Sequence, residues 1–512
     1  MRLRVLASAF LLASTLPVFS QTVWDGPASG AWTTATNWSN DDIPDTNLEN
    51  VVIDNNAGQN SAVTLNLSTG TAYNVGTLTI NTGDSLSVGG SAGDSGSSSL
   101  TLAGLANAGT LTYTVTSPGN IGTSTFNIGG TNQVFNTGTL NFRSTAGSNR
   151  VNAYLVVDAN NTNAGALNIS LNGSDRNTAE LRLTNSGTFT NTGTITLLYN
   201  NTANSNTSRV SLRIMGGSVN LSATGAAAGQ GVLILAQNTV NGTQQETQII
   251  GNAAGSSLTN DAGHTIRGAG LIGGANLAFT NNGLVEATGA TETLLLDPAG
   301  TSVNNGELKA SGAAGLQLQS GTFTNNGVIT VLEDSKLILG TSGILNNAAG
   351  STLTLNGTLA GVGTVTTVNT DLTISTTGAL AAGLSAGTLT MNLGTGSLVL
   401  NDLTDLNFEL GTTSDLVSIT GGLTLDGILN ITALTGFDAG VYTLFNFTGA
   451  LVNNGVQLGT RPDGYEYQIV TNANNVQLQV TAVPENSTGL LVVGTLGVLA
   501  LYYRRSRKND SL

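Results

Sequence analysis

Residues 279–357 repeat themselves: FTNNGLVEATG from Phe279, SVNNGELKASG from Ser302, FTNNGVITVLE from Phe323 and ILNNAAGSTLTLNG from Ile344. The Asn-Asn pairs open at Asn281, Asn304, Asn325 and Asn346, in steps of 23, 21 and 21 residues. A fixed period of that size marks a repeat architecture. Between the pairs stand short alternating runs such as Leu316-Gln-Leu318 and Leu353-Thr-Leu355, closed by Gly and Ser. Alternation with period two between turn residues means strands. One turn of chain every twenty-odd residues, built of short strands and tight corners, is a coil of a parallel β-helix. The sequence therefore predicts an all-β fold, a right-handed parallel β-helix. Three residues beyond the Gly of successive Asn-Asn-Gly corners lie Glu286, Lys309 and Thr330. Coils stacked in register place these three one above another, about 4.8 Å apart. Glu286 over Lys309 is then an exposed charge pair, in a weak surface ladder or a polar binding stripe.

Composition agrees with a solenoid. Gly supplies 67 of 512 residues, nearly twice the usual share. Only 9 % of residues are charged, yet 39 % are apolar, and in alternation these suffice for a thin continuous core. The absence of Cys excludes disulfides, Fe–S clusters and thiolate zinc sites. The net charge is −14, and residues 21–483 hold 10 basic against 28 acidic side chains, a net −18. An acidic body argues against nucleic acid or an anionic membrane as partner. It favours solubility; no cofactor is expected, weak calcium binding being the one alternative.

Residues 1–20 read as a secretory signal peptide: Arg2 and Arg4, an apolar stretch from Val5 to Leu16, then Val18-Phe19-Ser20 before Gln21. Residues 21–50 hold all three tryptophans, Trp24, Trp32 and Trp38. An open solenoid end exposes strand edges, so a hydrophobic cap is expected there, with a sugar-stacking platform as the alternative. The stretch WDGPASGAWTTATNWSNDDIPDTNLENVVID from Trp24 resembles the opening of autotransporter-like bacterial surface proteins, where it leads into a β-helix.

The β-helix is expected over residues 51–394. Its strands include Val63-Thr-Leu65-Asn-Leu67, Leu78-Thr-Ile80, Leu100-Thr-Leu102 and Leu181-Arg-Leu183. Further corners stand at Asn107-Ala-Gly109, Asn136-Thr-Gly138 and Asn191-Thr-Gly193, with irregular spacing that suggests longer loops or degenerate coils. At about 22 residues per coil the span gives roughly fifteen coils, about 70 Å long. Over residues 395–481 strands lengthen and aromatics return, so the last coils and a small sandwich-like β module are expected. The region around Asp415 and Gly440-Val-Tyr442-Thr-Leu444 resembles the segment that ends autotransporter-like passengers.

Residues 483–508 form a distinct tail. Val483-Pro484-Glu485-Asn486-Ser487-Thr488 precedes an apolar run over 489–503, then Arg504-Arg505-Ser506-Arg507-Lys508. Fifteen helical residues cover about 22 Å, short of the roughly 30 Å hydrocarbon core. Tyr502, Tyr503 and the Arg cluster compensate at the interface, and the basic flank places the C-terminus in the cytoplasm. A simple tail anchor has this pattern too. The order of Pro-Glu, apolar helix and Arg cluster resembles the PEP-CTERM sorting signal, whose common form is V-P-E-P-S; here Asn486 replaces the second Pro. The resemblance implies sorting residues Val483, Pro484, Glu485, Arg504, Arg505 and Arg507. It also implies transient inner-membrane insertion, removal of the tail by an exosortase-type membrane protease, and delivery to the cell surface or an exopolysaccharide matrix.

Catalytic chemistry is sparse. The one His, His264, sits in Asp261-Ala-Gly-His264 and is expected in an exposed loop. With no Cys and no second His, a zinc or iron site of ordinary composition cannot be assembled. Parallel β-helices include polysaccharide lyases and glycosidases, which need two carboxyl groups facing one sugar. The candidates are Glu286 with Glu307, Asp297, and Glu333 with Asp334. Gly83-Asp84, Gly93-Asp94 and the group Asp41, Asp42 and Asp45 are the candidates for calcium. The sequence thus favours a non-enzymatic structural or adhesive protein over the alternative, a β-helix lyase or hydrolase.

Overall fold

The computed structural model describes residues 20–483, apart from residues 48, 55–58, 94–95, 117–121, 146–150, 173–176, 201–207, 228, 238–245, 275 and 384. Nearly all strand pairing is parallel, and one three-residue 3-10 turn, Ala35–Asn37, is the only helical element among the described residues. Each coil contributes to three stacked faces. The coil beginning at Val151 shows them in order: Val151–Asp158 on the first face, Thr162–Asn163 on the second and Ala166–Leu171 on the third. Each strand pairs with its counterpart in the next coil, Thr178–Thr184, Gly187–Asn191 and Thr194–Tyr199 respectively.

The alternation seen in sequence becomes an inside and an outside. Leu140 and Phe142 stack on Leu167 and Ile169, and these on Ile195 and Leu197, all buried. Asn141, Asn168 and Thr196 form the outward row beside them. Coil length changes along the rod. Stacked asparagines from Asn107 to Asn191 are 29, 27 and 28 residues apart, whereas those from Asn260 to Asn347 are 21 to 23 apart. Compared face by face, the wide coils have the longer strands: eight residues at Val151–Asp158 against four at Leu294–Asp297 on the first face, and six at Ala166–Leu171 against four at Glu307–Ala310 on the third. A wider coil needs larger side chains to fill it. Tyr113 lies between Phe126 and Phe142, with ring centroids 5.2 and 5.5 Å away, and Gly90 leaves room beneath it.

Glu286, Lys309 and Thr330 stack in successive coils, as the sequence predicts. Asn281, Asn304 and Asn325 also stack, but the fourth partner is Asn347 rather than Asn346. The strand Lys336–Asn347 carries one extra residue opposite the step from Leu318 to Ser320, so every later side chain moves by one and Asn346 turns outward.

At the N-terminal end all three Trp are buried. Trp38 packs edge-on against Trp24 and Trp32, at 5.1 and 4.8 Å, and each indole N–H donates to a backbone carbonyl. Parallel pairing continues past Gly394 as far as Gln457–Leu458. The described chain then closes with three antiparallel strands, Gly440–Phe447, Asn475–Ala482 and Tyr465–Thr471, in one sheet. Residues 1–19 of the expected signal peptide lie outside the described residues, as do Pro484, Glu485, Arg504, Arg505, Arg507 and the apolar run over 489–503; only Val483 of the sorting residues is described, and it is exposed. Among the described residues no helix is long and apolar enough to cross a membrane.

Candidate functional surfaces

The corner between the second and third faces carries an internal ladder of side-chain amides. Asn107 Nδ2 donates to Asn136 Oδ1 at 2.7 Å, Asn136 to Asn163 at 2.8 Å and Asn163 to Asn191 at 2.9 Å. A second run passes from Asn260 to Asn281, Asn304, Asn325 and Asn347 at 2.7–2.8 Å. These amides also donate to main-chain carbonyls at the corner, for example Asn281 to Glu307 O at 2.9 Å. The coil between the runs has no Asn in place; Leu221 of Ser218–Ser222 stands beside Asn260. His264 closes the gap. Asn191 Nδ2 meets its Nε2 at 3.2 Å, and its Nδ1 meets Asn260 Oδ1 at 2.6 Å. With both neighbours oriented by the rest of the ladder, the ring is the neutral Nδ1–H tautomer, accepting at Nε2. His264 is fully buried, which corrects the expectation of an exposed loop residue. Burial pushes its pKa down to about 4.

The candidate carboxylates are spread over separate places. Glu286 lies on the third face, bound by Lys309 Nζ at 2.9 Å and Ser311 Oγ at 2.9 Å. Burial raises its pKa, but these partners outweigh burial and hold it below the usual range. The pair is only partly exposed, 18 % for Glu286 and 32 % for Lys309. Glu307 is two residues out of line with Glu286 on the next coil and accepts from Thr330 Oγ1 at 3.3 Å. Asp297 is on the first face and accepts from Ser320 Oγ. Glu333 and Asp334 are exposed at a corner, with Asp334 at φ 62°. Register therefore puts Glu286 and Glu307 on adjacent coils of the third face, two residues out of line, and leaves Asp297 and the corner pair Glu333 and Asp334 apart from them.

Other acids are built into the backbone. Asp84 is buried and accepts from Ser61 N at 2.6 Å. Asp415 accepts from Gly387 N and Glu409 N at 2.9 and 2.8 Å, and burial pushes its carboxyl up to about 6. Asp41, Asp42 and Asp45 are exposed, and Asp94 lies outside the described residues. Among the described residues no group of three or more His, Cys, Asp or Glu is placed to hold a metal ion. The aromatic-platform alternative fails at Trp24, Trp32 and Trp38, whose rings are inside the fold.

The sequence reading missed a cluster on the first face. Glu180, 3 % exposed, accepts from Arg182 Nε at 2.8 Å and from Arg213 through Nη2 at 2.8 Å and Nε at 3.1 Å. Burial raises its pKa, but the two guanidiniums outweigh it and hold the carboxyl below the usual range. Arg182 Cζ sits 3.2 Å from the centroid of the Tyr154 ring. Arg182 and Arg213 are partners in adjacent coils, as are Thr178 and Arg209. The available signal was the clustering of arginines between residues 143 and 213.

No family model matches the chain. Over 98 residues it is 40 % identical to the adhesin BmaC autotransporter of Brucella suis biovar 1 (strain 1330). The match covers 18 % of this chain and 3 % of that protein's length.

Proposed function

We propose that this protein is an exported structural or adhesive component of the cell surface or extracellular matrix. The observation that carries the reading is the uninterrupted parallel stack, whose polar side chains chiefly hold one coil to the next. A solenoid of this kind keeps its shape without cofactors and presents long, repeated outer faces. The partial likeness to an autotransporter adhesin supports the same reading. The dispersal of the candidate carboxylates over two faces and a corner favours adhesion over sugar cleavage.

Sorting through the Val483-Pro484-Glu485 tail is the second half of the proposal. An exosortase-type protease acts on a membrane-anchored intermediate, and Arg504, Arg505 and Arg507 remain on the cytoplasmic side until cleavage. Exopolysaccharide is the partner that this route makes available. Deleting the gene tests the role: cell aggregation or biofilm texture changes, while growth on soluble sugars is unaffected. Unchanged aggregation and texture would refute it.

A further inference from the structure

We propose that the first face, around Arg182, Arg209 and Arg213, is a binding surface for an acidic polysaccharide. The ground is an inversion of charge within an acidic rod. Residues 143–213 hold six basic and three acidic side chains, while the rest of residues 21–483 holds four basic and 25 acidic ones. Four of the six, Arg143, Arg182, Arg209 and Arg213, are described, and the last three share the first face.

Their partners leave positive charge over. Glu180 is the one carboxylate bonded to Arg182 and Arg213, so the three together carry one net positive charge. Arg182 spends only Nε on Glu180, and its Nη groups have no hydrogen-bond partner among the described residues. Arg182 and Arg213 retain 22 % and 19 % exposure. Arg209 is partly exposed and makes no ion pair among the described residues. Ser211, between Glu180 and Gln248 in the same row, is fully buried with its Oγ unpartnered. Glu180 and the Tyr154 ring fix the guanidinium planes, which lowers the entropy lost when they bind a ligand.

The chemistry that fits is a row of carboxylates at modest density. Planar guanidiniums pair with carboxylates through two parallel N–H donors. A polymer lying along the rod meets Arg182 and Arg213 on successive rungs, about 4.8 Å apart. Single-stranded nucleic acid is the competing polyanion, and its phosphates, unlike a carboxylate polymer, have no part in the matrix route proposed above. The inference rests on the adhesive reading for its choice of a matrix polymer, but it concerns a particular surface.

The test uses the exported protein as recovered from the cell surface and immobilised alginate, with dextran as neutral polymer and a single-stranded DNA oligonucleotide as the competing polyanion. The protein should bind alginate and not dextran, with affinity falling about tenfold or more between about 50 and 300 mM salt. Arg209→Glu and Arg182→Lys should each weaken alginate binding at least about fivefold; the second keeps the charge and loses the planar fork. Lys336→Gln, a distant exposed cation, should leave it unchanged, and thermal melts identify any variant that fails to fold. Alginate binding insensitive to both Arg variants would overturn the surface while leaving adhesion standing. DNA binding tighter than alginate, or no binding to alginate, would overturn the ligand class.

Discussion

His264 shows at the scale of one residue how context overrides local sequence. Asp261-Ala-Gly-His264 reads as a hydrophilic corner, yet the imidazole is buried because the intervening rung at Leu221 lacks an amide and His264 reaches Asn191, 73 residues away in sequence, in its place. Nothing within a local window of sequence could reveal that. The burial makes a pH prediction. The fold holds His264 neutral down to about pH 4, while an unfolded chain takes the proton near 6.5. Its contribution to stability is therefore complete above about pH 6.5 and falls as pH drops towards 4, by about 3 kcal/mol. As the only His, it gives one set of imidazole resonances. NMR titration should place its pKa below about 5; a value near 6.5 would mean an exposed ring.

At the scale of the coil, inner and outer asparagines should differ. Asn304 is buried and links Asn281 to Asn325, whereas Asn305 links Asn282 and Asn326 on the exposed side. Asn304→Ala should lower unfolding free energy by about 1–3 kcal/mol, because it strands buried polar groups. Asn305→Ala should change it by less than about 0.5 kcal/mol. At the stacked corner, a Cβ on Gly165 would lie 2.1 Å from Gly138 O, so Gly165→Ala should be destabilising by about 1–3 kcal/mol or more. Glu286→Ala and Lys309→Ala should each cost about 0–1 kcal/mol, since the pair is partly solvated. Denaturant titrations compare all five variants. The repeat was legible where the third-face strands have four residues and the Asn-Asn pair recurs. The wider coils looked irregular because their strands are longer, and Asn163-Ala-Gly165, the rung between Asn136 and Asn191, went unread. The slip from Asn346 to Asn347 was hidden too, since one inserted residue leaves the motif intact while turning its faces.

For the whole molecule, the parallel stack and the cluster of buried Trp follow from alternation, Gly-rich corners and the need to close an open end. The arginine surface was not legible, because net charge averages over faces that only the register separates. The sorting proposal predicts that mass spectrometry of the surface-localised protein finds no peptide beyond about Thr488. Intact Arg504-Arg505 recovered there would leave a retained anchor instead. The central claim, an exported rod that holds polymers without cutting them, is tested most directly by incubating the exported protein with acidic and neutral polysaccharides. At least one acidic polymer should be retained on the protein and keep its chain length, with or without calcium. Release of unsaturated or reducing ends that disappears in Glu307→Gln would contradict it.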